Sequence, residues 1–125
     1  MSKAAELAEF SGGISSGPNA VEGLAKCWIR FNGTGTIAIN DSFNVSGIVD
    51  NSTGDYTVTI NNDMANDDYA YYGFSSRDAS TSQVGMFGTA TASDVTTEKF
   101  KVIELANVTL YDVGVVMCSV HGDLA

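Results

Sequence analysis

The feature that most constrains the fold is an alternation of apolar and polar residues with a period of two, which begins near Ala25. In the first run, Cys27, Ile29 and Phe31 occupy every second position. Successive side chains of a β-strand point to opposite faces of a sheet, so this period predicts strands. Similar short runs recur to the end of the chain, and no helical pattern follows Leu24. We expect strands at 27–32, 36–39, 43–50, 56–60, 69–74, 84–91, 100–105 and 113–120.

Turn-forming residues separate these runs. The chain holds 13 Gly together with many Ser, Thr and Asn, a mixture that favours tight turns between strands. The strongest hairpin signal is the Gly-containing loop 51–55, which joins the runs 47–50 and 56–60. Short, evenly spaced strands predict an all-β, antiparallel sandwich or barrel. Of the two, we favour a jelly-roll-like β-sandwich knob over residues 25–125.

The first 24 residues differ in character from the rest. Residues 3–10 are good helix formers with Leu7 and Phe10 on one face, and the Ser/Gly-rich stretch after them contains the only proline, Pro18. A helix this short needs a surface on which to dock. We expect residues 1–24 to be an anchor and linker, and a frayed terminus is the alternative.

Acidic residues outnumber basic ones and give a formal net charge of −9. This charge disfavours binding to nucleic-acid phosphates and to anionic membranes, and no apolar run is long enough to span a bilayer. The N-terminus lacks the basic-then-apolar order of a secretory signal, so we expect synthesis and folding in a cytoplasm. In that reducing compartment Cys27 and Cys118 are expected to be buried apolar residues. A disulfide between the first and last strands stays open.

The segment AKCWIRFNGTGTIAI, residues 25–39, resembles a module of bacteriophage tail-fibre proteins, and the likeness continues through DSFNVS at 41–46 and TGDYTV at 53–58. Residues 113–122 are similar to the closing strand of such proteins. The sequence departs from the family at Cys27, where a small residue is usual, and over residues 75–110. The resemblance covers about half of the chain. It implies a virion component, assembled in the cytoplasm of a bacterial host and usually homotrimeric.

Three functional hypotheses follow. The first is a tail-fibre or knob protein for host adhesion, whose partners are other tail or capsid proteins and further copies of itself. The second is a capsid or tail decoration or adaptor protein without a receptor role. The third is a small glycan-degrading enzyme. We expect no enzyme, because His121 is the only histidine and no Gly-x-Ser-x-Gly motif lies between a predicted strand and a predicted helix, the elbow in which its serine acts as a nucleophile. Whether two carboxylates meet in space stays open.

Aromatic residues are the candidates for core packing and for contact between copies. Trp28 and Phe31 lie in the run that most resembles the family, and we expect them in the core or in an oligomer interface. Alternation places Tyr69 and Tyr71 on one side of a strand and Tyr72 on the other. We expect core or oligomer contacts for Tyr69 and Tyr71, and stacking on a sugar is the alternative role for the three tyrosines.

An apolar surplus predicts that the chain is an oligomer. Apolar residues occupy both faces of the runs 69–74 and 113–120. One small domain cannot bury both faces of two strands, so we expect a homotrimer, the state that the resemblance implies.

Two polar loops, 61–68 and 75–83, carry the candidate receptor-binding residues, since binding residues tend to lie on loops held by a rigid scaffold. Charged side chains there can hydrogen-bond the hydroxyls of a host-surface glycan. The candidates are Asp63, Asp67, Asp68, Arg77 and Asp78. The three aspartates of the first loop could also offer oxygens to Ca²⁺, but EF-hand spacing is absent. We expect a solvated loop and no metal or other cofactor.

Overall fold

The computed structural model describes residues 24–76, 84–88, 94–104 and 109–125. The expected anchor over residues 1–24 lies outside this part of the chain, apart from the exposed Leu24. Every regular element in the described ranges is a β-strand, and every strand pairing is antiparallel. The all-β, antiparallel class predicted from the alternation is confirmed.

The strands follow one another with short connections. In chain order they are β1 (Ala25–Asn32), β2 (Ala38–Phe43), β3 (Val45–Ser52), β4 (Asp55–Ile60), β5 (Ala70–Ser76), β6 (Val84–Gly88), β7 (Thr97–Glu104), β8 (Thr109–Leu110) and β9 (Val115–His121).

These strands form two sheets. Sheet 1 has the order β2-β1-β9-β5, and sheet 2 has the order β3-β4-β7-β6, with β8 paired to the end of β7. The hairpin predicted around residues 51–55 is present as β3–β4, with Gly54 in the left-handed region at φ 65°. In sheet 1 the last strand, β9, lies between β1 and β5, so its pairings join residues that are far apart in sequence.

The hydrophobic core is a cluster of buried residues from both sheets. Sheet 1 contributes alternate residues of β1 and β9, sheet 2 contributes alternate residues of β4, and Met64 and Val113 enter from connections. The rings of Phe31 and Tyr56 meet edge to face across the core, with centroids 5.0 Å apart. Each large buried side chain stabilises the fold by roughly 1.5–3 kcal/mol. The buried hydrophobic residues are Cys27, Ile29, Phe31, Tyr56, Val58, Ile60, Met64, Val113, Val116, Cys118 and Val120.

Asn44 forms the corner at which the chain leaves sheet 1 and enters sheet 2. Its φ of 55° lies in the left-handed region, which asparagine adopts more readily than most residues. Its side-chain amide donates to the carbonyl oxygens of Lys26 (2.9 Å) and Asn62 (3.1 Å), and its Oδ1 accepts from the Asn62 backbone N–H (2.7 Å). The run predicted at 43–50 is therefore interrupted at this residue.

A buried polar network closes one end of the core. The Tyr56 hydroxyl donates to Asp112 Oδ1 (2.8 Å), and the same oxygen accepts from the Gly54 backbone N–H (2.7 Å). Burial raises the pKa of the Tyr56 phenol far above its ordinary value, and the hydrogen bond to Asp112 adds to the rise. This network joins the β3–β4 turn to the segment that precedes β9.

Two other predicted elements differ in detail. The strand expected at 36–39 lies later, at Ala38–Phe43, because this edge strand is exposed along almost its whole length and therefore tolerates Asn40 and Asp41. Val113 was predicted to begin the last strand, but it is a buried residue before β9. β8 has only two residues, too few for a periodic signal.

Candidate interaction surface

The outward face of sheet 1, which we call the outer face, carries two rows of side chains that run across all four strands. Residues directly opposite each other on antiparallel strands point to the same side, so the register defines the rows. The first row consists of Phe43, Trp28, Ser119 and Tyr72. The second row consists of Asp41, Arg30, Met117 and Phe74.

Large apolar side chains are exposed along both rows. Phe74 is 68% exposed, Tyr72 55% and Phe43 53%, and Met117 and Trp28 are also partly accessible. Exposed apolar residues are ordinary when they occur singly, but a contiguous set on one flat face indicates a contact surface. The outer face is therefore the strongest candidate site in the described part of the chain.

A groove of about 290 Å³ runs through the middle of the outer face. Ser119, a small residue on the central strand β9, lies between Trp28 and Tyr72 and leaves this space. Phe74 and Met117 continue the lining into the second row. The groove thus offers flat aromatic and thioether surfaces beside a single small hydroxyl.

The face of sheet 2 that points away from the core has a different character where its side chains are described. Thr57 and Thr59 lie on the side of β4 away from the core, where Thr57 is buried and accepts a hydrogen bond from Asn51 Nδ2 at its Oγ1 (2.9 Å). The apolar exception is Val49, which is 51% exposed. Among the side chains that the structure describes, the exposed aromatic ones therefore lie on the outer face of sheet 1.

A second, polar groove of about 340 Å³ borders the end of the outer face. It is lined by Asn66, Asp68, His121 and Asp123, with Ala70 and Gly122. The His121 ring stacks on Tyr72, with centroids 5.4 Å apart and an angle of 21° between the planes. Because Tyr72 also lines the apolar groove, an aromatic face and a set of hydrogen-bonding groups lie side by side here.

Ser119 Oγ lies 3.2 Å from His121 Nε2, a separation that also occurs between the nucleophile and base of hydrolases. Acyl transfer additionally needs backbone N–H groups aimed at the developing oxyanion. Ser119 lies in the middle of β9, which pairs with β1 on one side and β5 on the other. Hydrogen bonds to these two neighbouring strands engage the backbone around this serine, so the Ser119–His121 pair lacks the oxyanion-binding N–H groups that acyl transfer requires.

The predicted oligomer or core residues divide between two environments. Trp28 lies on the outer face, whereas Phe31 is fully buried in the core. Tyr69 and Tyr71 are partly buried against the core, with their rings edge to face at 6.5 Å. Tyr72 points the opposite way, as the alternation predicted.

The predicted receptor-binding residues are only partly brought together. Asp63, Asp67 and Asp68 are exposed on the loop between β4 and β5, and of these Asp68 alone lines the polar groove. Arg77 and Asp78 lie outside the described residues.

The acidic loop is anchored to the C-terminus, a feature that sequence reasoning missed. Met64 is 1% exposed and forms a β-bridge with Leu124. The Ala65 N–H donates to the Asp123 carbonyl (2.8 Å), and the Ala125 N–H donates to the Asp63 carbonyl (2.9 Å). These contacts hold the loop beside the polar groove, and Met64, the one large apolar residue in a polar stretch, was the available signal.

Neither a metal centre nor a membrane span is indicated in the described ranges. No group of three or more His, Cys, Asp or Glu residues there is placed to hold a metal ion. None of those residues forms a helix long and apolar enough to cross a membrane. Cys27 and Cys118 are buried thiols on the neighbouring strands β1 and β9, and the register places them diagonally rather than directly opposite each other.

Comparison of the chain with protein-family models, curated proteins and solved structures found no match. The geometry of the outer face and the motifs of the sequence are therefore the basis for a functional proposal.

Proposed function

We propose that this chain is a structural protein of a bacteriophage particle, similar to a tail-fibre or knob module, which acts as a homo-oligomer through contact rather than catalysis. Its two sheets form a β-sandwich around the shared core. Consecutive strands pair within the same sheet as β1–β2, β3–β4 and β6–β7, which favours a sandwich of hairpins over a jelly roll.

One observation carries the proposal: the exposed aromatic rows of the outer face. Such a surface in water favours association, because contact removes the apolar area from solvent. The concentration of aromatic and thioether groups, with few charges, is also the composition of the buried centre of protein interfaces.

The tail-fibre resemblance and the outer face coincide in the sequence. Residues 25–39 and 41–46 supply Trp28, Arg30, Asp41 and Phe43, which form the β1 and β2 parts of both rows. A module shared by many fibre proteins is better suited to shared architecture than to a varying host receptor. This coincidence supports assembly into a homotrimer and attachment to other tail or capsid proteins as the role of the outer face.

Contact with a host-surface glycan is a second candidate function, favoured by the polar groove beside Tyr72. Pyranose rings stack on aromatic faces, and carboxylates accept hydrogen bonds from their hydroxyls. We expect host polysaccharide to bind the protein weakly, with Asp68→Ala reducing binding several-fold. Asp63→Ala is the control, because Asp63 is exposed on the same loop but does not line the groove. Equal binding by both variants would contradict a glycan site at this groove.

The test of the main proposal is to locate the protein in purified particles. Antibodies raised against the full chain are expected to label the particle in electron micrographs, at the tail for a fibre or knob and on the capsid for a decoration protein. Native mass spectrometry is expected to give a multiple of the 13.1 kDa chain mass. Unlabelled particles would refute a virion role. Release of sugar from host polysaccharide by the purified protein would instead favour the glycan-degrading alternative.

A further inference from the structure

We infer that the apolar groove of the outer face receives the N-terminal segment, residues 3–10, of a neighbouring copy of this chain. The inference rests on the proposed homo-oligomer and names the two different surfaces through which its copies meet. Residues 3–10 lie outside the described ranges, and their helix is an expectation from the sequence.

The apolar groove crosses the strands between the two rows of the outer face. Its walls are the two rows, and its floor is the backbone of Ile29, Cys118 and Gly73, which lie between them. Residues on one face of a strand that are two apart are separated by about 6.8 Å, and this separation sets the distance between the walls. From β1 to β5 the groove covers two strand spacings, about 10 Å. The groove therefore fits one or two large apolar side chains that project from a narrow element.

The N-terminal segment carries two side chains of this kind. Leu7 and Phe10 are its large apolar residues, and their spacing of three places them on one face of the predicted helix. Their β-carbons are then about 5–6 Å apart, which is within the length of the groove. A helix of this length does not persist alone in water and needs a surface on which to dock. The segment and the groove each lack what the other supplies.

Charge complements the apolar fit. Arg30 is the one charged residue that lines the apolar groove. Glu6 and Glu9 are three apart, as Leu7 and Phe10 are, so an acidic flank runs beside the apolar stripe of the predicted helix. With the stripe in the groove, a carboxylate of this flank can pair with Arg30. That pair offsets part of the repulsion between two copies that each carry a formal charge of −9.

The linker and the symmetry of the contact favour exchange between copies. The 14 residues 11–24, rich in Ser and Gly, join the segment to β1. A flexible chain of this length spans about 20 Å on average, enough to reach the groove of an adjacent copy. A segment and a groove are different surfaces, so each copy gives one segment and receives one. Contacts of this heterologous type can close a ring of three, whereas a face that contacts itself stops at a dimer.

The experiment uses two full-length variants, each of which lacks one half of the contact. The segment variant, Leu7→Lys with Phe10→Lys, keeps an intact groove, and the groove variant, Phe74→Lys, keeps an intact segment. Ala5→Lys is the matched control, because Ala5 lies about 200° around the predicted helix from Leu7. Sedimentation equilibrium from about 1 to about 200 µM measures the mass of each protein and of an equimolar mixture of the two variants. Circular dichroism confirms that each protein is folded.

We expect the wild type and Ala5→Lys to associate, and each of the two variants alone to remain monomeric, with a dissociation constant raised at least about tenfold. The equimolar mixture is expected to form a heterodimer, because the segment of the groove variant enters the groove of the segment variant. The mixture stops at two copies, since the second contact that would continue the ring is missing from both partners.

Three results would overturn the inference and leave the homo-oligomer standing. The first is a segment variant that associates as well as the wild type. The second is an associating wild type whose two variants stay monomeric when they are mixed. The third is loss of association in Ala5→Lys, which would remove the role given to the apolar stripe. A wild type that is monomeric throughout would overturn the inference and the homo-oligomer together, whether or not each segment covers the groove of its own chain.

Discussion

Replacement of Tyr56 by phenylalanine tests whether the buried polar network stabilises the fold. Tyr56 is fully buried, its ring packs on Phe31, and its hydroxyl donates to Asp112 Oδ1 at 2.8 Å. The Gly33 carbonyl lies farther from the hydroxyl, at 3.4 Å, and contributes little. Phenylalanine keeps the ring contacts and removes one hydrogen bond to a carboxylate.

The expected cost follows from the partners that remain. A hydrogen bond to a charged group contributes about 1.5–3 kcal/mol. Asp112 keeps its bond from the Gly54 N–H and is only partly buried, so water can replace the lost donor. We therefore expect Tyr56→Phe to lower the free energy of unfolding by about 1.5–2 kcal/mol, at the lower end of that range. For a domain of this size the melting temperature then falls by roughly 6–8 °C.

Thermal and urea denaturation followed by circular dichroism measure this change. Tyr72→Phe is the control, since the Tyr72 hydroxyl lies on an exposed ring, and its melting temperature should stay within about 2 °C of wild type. A double-mutant cycle with Asp112→Asn should give a coupling of about 1 kcal/mol. A Tyr56→Phe variant as stable as wild type would refute the role given to this network.

The remaining predictions concern the packing around this core. A Cβ at Gly33 would collide with the Tyr56 hydroxyl, so Gly33→Ala should lower the free energy of unfolding, measured by urea denaturation, by about 1–3 kcal/mol. A Cβ at Gly47 meets open space, so Gly47→Ala is the control and should lower it by less than about 0.5 kcal/mol. Met64→Ala should cost about 2–5 kcal/mol and speed amide exchange in the 61–68 loop; unchanged exchange would contradict the anchoring. Hydrogen bonds from the Thr96 side chain and backbone lower the pKa of Asp94 in the folded protein. The ionised carboxylate therefore stabilises the fold at a pH above its ordinary pKa of about 3.8. That contribution is lost as the pH falls through the lowered pKa of the folded state. The difference in melting temperature between wild type and Asp94→Ala should therefore be larger at pH 7 than at pH 3, and a constant difference would refute the assignment.

Strands with one buried face were predictable from the sequence, and strands without one were not. β1, β4 and β9 alternate because every second residue enters the core, and Tyr71 and Tyr72 of β5 were placed on opposite sides for the same reason. β2 is exposed along most of its length, so no alternation marks it. Burial on one side is what produces the period of two.

The outer face was only partly predictable, because it depends on strand order. Trp28 and Tyr72 each stood out as aromatic residues, but they share a row only because β9 lies between β1 and β5. Pairings between segments so distant in sequence leave no local pattern. The polar groove likewise needs Asp68 and Asp123 to meet through the Met64 anchor, which depends on a β-bridge to the C-terminus.

The fluorescence of Trp28, the only tryptophan in the chain, tests most directly whether copies of the protein associate through the outer face. Trp28 is partly exposed in a single copy and would be buried when the outer face is covered by a neighbouring copy. On dilution from about 100 µM to about 0.1 µM, the emission maximum should move to longer wavelength as the contact dissociates. Phe74→Lys should show the long-wavelength emission at every concentration. An emission maximum that stays constant on dilution and is the same in Phe74→Lys would contradict self-association through this face.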